Sequence, residues 1–134
     1  MTLLSELKEL DGACREMDAR IHLLLHPLED RDGFRDSSAE VQPDGSILYH
    51  WRNEKGAIGM STDRDIMRFT GSVDAALTFI PEGWLIYDLS EKDCVNLTRY
   101  AITFRNNALE LSYGDHNELA IAICIAALSA RGIE

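Results

Sequence analysis

The chain has 134 residues, 46% of them hydrophobic and 27% charged, which is the size and balance of one globular domain and excludes a disordered or collagenous chain. Thirteen Lys and Arg stand against 23 Asp and Glu, a net charge of −10. That charge argues against direct nucleic-acid binding, whose footprint is a basic patch, and against an anionic membrane surface, which recruits basic segments.

Leu3, Leu4, Leu7 and Leu10 recur at helical spacing behind Thr2, an N-cap candidate, until Asp11-Gly12 interrupts them. Cys14, Met17, Ile21, Leu24, Leu25 and Leu28 form a second apolar stripe, and Pro27 stops it. Arg15, Glu16, Asp18, Arg20 and His22 fill the other face, which predicts an amphipathic helix. Residues 29–38 read as a charged surface loop. Pro43-Asp44-Gly45 is then a hairpin turn, with φ fixed at proline and positive φ tolerated at glycine. In the following strand Ile47, Tyr49 and Trp51 share one face, with Leu48 and His50 opposite.

Residues 52–71 are the least patterned: a turn at Lys55-Gly56, a short strand over Ala57–Met60, and a short helix or loop from Ser61 to Phe69. Ser72 caps a short helix with Asp74 in its first turn, and Pro81 closes it. Trp84–Leu89 reads as a strand, Ser90–Asp93 as a polar turn, and residues 96–105 and 109–113 as a meander joined at Asn106-Asn107. Asp115 or Asn117 is expected to cap a last helix reaching Arg131. That helix is apolar almost all round, so it should be buried.

Helices, strands, a short helix, strands and a helix, without repeats, predict one α+β domain over residues 1–134. Its antiparallel sheet of four or five strands is expected to be sandwiched by helices in α/β/α layers. MTLLSELKEL carries Glu6 and Glu9 within its apolar periodicity, so it does not read as a signal peptide. The longest apolar run, residues 119–128, falls short of the roughly 20 residues that span a bilayer. Without a secretory signal, Asn96-Leu97-Thr98 is not read as a glycosylation site. The expected location is cytoplasmic, with no membrane association. Cys14, Cys94 and Cys124 are an odd, scattered set and suggest no disulfide framework.

Three segments resemble a known family. CREMDARIHLLL (14–25), SVDAALTFIPEGW (72–84) and LAIAICIAALSAR (119–131) are similar, in order and spacing, to segments of the phage ABA sandwich domain family of small prophage-encoded proteins. The resemblance implies layered α/β/α architecture and a phage or prophage origin, and it implies no activity. The chain departs from the family pattern over Glu29–Thr70, which is longer and more polar, and at Asp115-His116-Asn117.

No catalytic set emerges from the residues. His22 and His26 sit four apart on one helix behind Asp18, a spacing that can offer two imidazoles to a metal. They lack the HExxH pattern and a third ligand, and the polar face of an amphipathic helix explains them. Ser5-x-x-Lys8 has the form of an acyl-enzyme motif without its companion signatures. Asp63-Arg64-Asp65 and Glu29–Asp32 read as solvated loops rather than an acid/base pair or calcium loop. Cys14 and Cys124 look like inert core thiols, and Trp51 and Trp84 like packing aromatics.

Catalytic, cofactor and metal residues are therefore expected to be none. The expected function is a non-catalytic phage or prophage interaction protein, an acidic inhibitor of a host defence or nucleic-acid-handling complex, with a host or phage protein as partner. The alternative is a small-ligand binder or enzyme using residues 44–70, with His50, Trp51 and Asp63–Asp65 lining a pocket. The apolar last helix needs an outer cover, and a homodimer is the expected source, with the N-terminal helices as the competing one.

Overall fold

The computed structural model describes residues 2–27, 34–53, 55–94 and 97–133. Its elements in order are α1 (Leu3–Lys8), α2 (Arg15–Leu25), β1 (Phe34–Val41), β2 (Ile47–Asn53), β3 (Ile58–Asp63), α3 (Val73–Leu77), β4 (Trp84–Cys94), β5 (Leu97–Asn106), β6 (Leu111–His116) and α4 (Leu119–Ala130). The fold is α+β and its strands are antiparallel. Leu28, the Glu29–Asp32 run, Asn96 and the side chain of Cys94 lie outside the described residues.

In place of one sheet of four or five strands there are two of three, ordered β1-β2-β3 and β4-β5-β6. Each strand pairs with its sequence neighbour across a short connection, while residues 64–83, with α3 and Pro81, separate β3 from β4. The chain divides accordingly into two compact units, Cys14–Met67 and Met1–Ala13 with Arg68–Glu134.

In the Cys14–Met67 unit, α2 packs on β1 and β2. Ala19, Ile47 and Ile66 are its buried centre, with Leu23, Ala39, Val41 and Tyr49 around them. Residues 34–38, expected as loop, are the first half of β1, paired with β2 from Phe34↔Asn53 onward. A neighbouring strand supplies the ladder there and overrides the polar local composition. The turn forms as expected: Gly45 N–H donates to the Gln42 carbonyl at 2.9 Å, and Gly45 has φ +86°. Asp44 Oδ1 accepts from Ser46 N and Oγ at 3.0 and 2.6 Å, and these bonds hold its carboxyl below the usual range. Asp18 differs from its expected place on the polar face. It is 1% exposed and pairs at 2.9 Å with Arg15, whose other terminal nitrogen donates to the Ile66 carbonyl.

In the other unit, α4 is the core. Residues Ala120–Leu128 are buried without a break, against β5 and β6 on one side and α1 and α3 elsewhere. Its cover is thus intramolecular, and the apolarity of this helix no longer requires a second subunit. The expected caps are not used. Asp115 belongs to β6, and Glu118 holds the N-cap position without a side-chain cap bond. His116 serves the helix start instead, its Nδ1 accepting from Glu118 N–H at 2.9 Å. That bond leaves Nε2 to donate to the Leu10 carbonyl at 2.8 Å, which fixes the Nε2–H tautomer and ties residue 10 to the helix start.

β6 approaches α4 through Ser112 and Gly114. Ser112 Oγ donates to the Ala126 carbonyl at 2.6 Å. A Cβ on Gly114 would collide with the Ala122 carbonyl and stand 2.9 Å from Ala126 N, so only glycine allows this approach. Within this unit the helices lie on one side of the sheet, and its other face is open.

Candidate functional site

Alternation decides what the open face presents. Ile102, Phe104, Ser112, Gly114 and His116 are buried towards the core, so their neighbours along β5 and β6 point outward. The register sets Leu85 opposite Arg105 and Arg105 opposite Leu111, then Asp88, Thr103 and Tyr113 in one row, then Ser90, Ala101 and Asp115. A bulge at Tyr87 shifts the β4 register between the first two rows.

One end of this face is apolar and aromatic. Leu85 is 74% exposed, Leu111 62% and Tyr113 55%. The Arg105 guanidinium lies 4.8 Å over the Tyr87 ring, a cation–π contact that holds both side chains at the surface. Leu85, Ile86, Tyr87, Arg105 and Leu109 line a shallow depression here. Leu109 stands out because it is 72% exposed at φ +62°, a left-handed conformation that costs a leucine about 1–2 kcal/mol. Asn106 holds the turn around it, its Oδ1 accepting from Ala108 and Glu110 N–H, both at 3.0 Å.

The other end is polar and ordered. Arg99 Nε donates to Asp115 Oδ1 at 2.7 Å, and the Tyr113 hydroxyl donates to Oδ2 at 2.9 Å. Partial burial pushes the Asp115 carboxyl up, but the Tyr113 and Arg99 bonds outweigh it and leave it below the usual range. The same bond to Asp115, with lesser help from burial, raises the Tyr113 phenol.

The charge of this face differs from its surroundings. Its unit holds twelve carboxylates and six basic side chains, a net charge of −6. Lys92, Arg99 and Arg105 lie on the face against only Asp88 and Asp115, a local balance of +1. Tyrosine and arginine, exposed here beside apolar surface, are side chains that protein interfaces favour.

The residues singled out from the sequence fall elsewhere. His22 and His26 form a tilted ring pair with centroids 4.8 Å apart. Burial first, then the neighbouring His26, lowers the His22 pKa against an opposing pull from Asp63. Among the described residues no group of three His, Cys, Asp or Glu is placed to hold a metal ion. Ser5 Oγ donates to the Thr2 carbonyl at 2.8 Å, in the first turn of α1. Cys124 is buried with its thiol on the Phe69 carbonyl, and Cys14 is the half-buried N-cap of α2.

Trp51 and His50 are adjacent on β2 and face opposite ways, and the Trp51 ring covers Gly59 on β3. A depression at the hairpin end is lined by Gln42, Pro43, Asp44, Ser46, Leu48, Thr62 and Arg64. Of the residues expected to line a pocket within residues 44–70, this depression takes in Arg64 and not His50, Trp51, Asp63 or Asp65.

The open face escaped the sequence reading because the exposed rows come from three strands whose inner face is fixed by α4. The signal for β6 was present in the alternation Leu111-Ser112-Tyr113-Gly114-Asp115-His116. Comparison of the chain with protein-family models, curated proteins and solved structures returns no match. The likeness to the phage ABA sandwich family rests on the three quoted segments alone. No helix among the described residues is long and apolar enough to cross a membrane.

Proposed function

We infer that the chain is a non-catalytic interaction protein of phage or prophage origin that binds a host or phage protein through the open face of β4-β5-β6. The observation that carries this reading is the exposure of Leu85, Leu111 and Tyr113 beside Arg105 on one continuous sheet face. Contiguous exposed apolar surface of this kind marks interaction sites in soluble proteins. The partner surface is apolar at its centre, with carboxylates at the rim to meet Arg105.

The carboxylate excess has a separate role. A chain of net charge −10 is steered towards a basic partner, such as a component of a nucleic-acid-handling or defence complex. The apolar face then holds the encounter. Steering belongs to the association rate and is screened by salt, whereas the hold belongs to the dissociation rate.

Quantitative affinity capture from a bacterial host lysate tests the reading. A protein retained by the wild type should be lost with the Leu111→Asp/Tyr113→Ser variant and kept with Asp65→Lys, a charge reversal in the other unit. Equal capture by the face variant would sink the proposal, as would capture of no protein at all.

A further inference from the structure

We propose that β4 pairs with β4 of a second copy of this chain about a two-fold axis at Ser90, joining two three-stranded sheets into one of six. β4 is an edge strand of its sheet. Leu85, Ile86, Tyr87 and Leu89 along it are all more than half exposed. An edge of this length and apolarity is a template for another strand.

The charges on the strand choose the occupant and the register. Lys92 lies directly opposite Arg99 on β5, an unfavourable pairing of like charges. Arg99 is neutralised by Asp115 on its far side. Asp88 lies opposite Thr103. Neither Asp88 nor Lys92 makes an ion pair among the described residues.

In an antiparallel pair about a two-fold axis perpendicular to the sheet, opposed residues share a face, so the axis passes through a residue. Centred on Ser90, the pairing sets Asp88 of each copy opposite Lys92 of the other, giving two cross-strand ion pairs. Centred on Leu89 or Glu91 it opposes no charges of unlike sign. Centred on Lys92 it opposes Glu91 to Asp93, both acidic. Ser90 is therefore the one centre in the stretch 89–92 that answers the unmatched Lys92. Self-complementary contact of this kind closes at two copies.

The pairing goes beyond the docking reading and does not require it, since Tyr113 lies on β6, two strands from the edge. Light scattering on the full chain at micromolar concentrations tests it. The wild type should show twice the 15.0 kDa chain mass. Asp88→Lys and Lys92→Asp should each weaken the dimer by about tenfold or more, since each puts two like-charge pairs in place of two attractive ones. The double variant Asp88→Lys/Lys92→Asp should restore it, and Tyr113→Ser should leave it intact. A wild-type mass of one chain throughout overturns the proposal. So does a dimer indifferent to the single reversals, or one that the double reversal fails to restore while thermal melts show it folded.

Discussion

The Arg15 guanidinium serves two groups at once, the buried Asp18 carboxylate at 2.9 Å and the Ile66 carbonyl at 2.9 Å. Removing it leaves a carboxylate that is 1% exposed without its paired cation. Breaking a fully buried pair costs about 3–5 kcal/mol, and Arg15, 31% exposed, brings the expectation for Arg15→Ala to about 2–3 kcal/mol. Urea denaturation checks this, and a loss below about 0.5 kcal/mol would contradict it. His22 supplies a pH dependence at the same scale. Its folded pKa lies below 6.5, so the unfolded chain takes up a proton first. Stability is unaffected above that value, falls as pH drops through 6.5, and levels off below the lowered folded pKa. In an NMR titration His22 should have its midpoint below 6.5, and His26→Gln should move it upward while leaving it below 6.5, because burial is the larger cause. A wild-type midpoint at or above 6.5 would refute the assignment.

Gly114 decides how closely a strand meets a helix. A methyl group there meets the Ala122 carbonyl and Ala126 nitrogen, backbone atoms that cannot swing aside. Overpacking of this kind costs about 1–3 kcal/mol, and Gly114→Ala should fall at the upper end in thermal or chemical denaturation. A neutral substitution would mean that α4 is not seated on β6 as described. The turn beside this strand predicts the opposite sign. Leu109→Gly relieves the left-handed leucine while giving up little burial, and should stabilise by about 0.5–1 kcal/mol. If strain is kept at Leu109 for binding, the same change should weaken partner capture.

The elements themselves were largely legible. The Thr2 and Ser72 caps, the Pro43–Gly45 turn and the Asn106-Asn107 connection all rest on contacts within a few residues, and the burial of the last helix is announced by its own all-round apolar composition. What was not legible depends on distant partners. Asp18 is drawn inside by Arg15, which is itself anchored 51 residues away. Ser90–Asp93 reads as a turn, yet it continues β4 because β5 pairs with it through Asp93↔Thr98. Phe34–Ser38 becomes strand because β2 is there to pair.

At the scale of the molecule, the two three-stranded sheets explain why no functional residues could be named from the sequence. A catalytic set announces itself by residue type and spacing, whereas an interaction face is a row of ordinary leucines, tyrosines and arginines made contiguous by strand register. The open face exists because α4 packs on β5 and β6 from one side and its own outer surface is closed by α1 and α3. In the function proposed above, this face rather than the acidic charge holds the partner. The measurement that tests it most directly is the dissociation rate of the captured partner from wild type and from Leu111→Asp/Tyr113→Ser, at low and at high salt. The wild-type rate should be almost independent of salt, with only association slowing, and the rate of the face variant should be raised about tenfold or more at both salts. Equal rates for the two proteins, or a wild-type complex that falls apart at high salt, would contradict it.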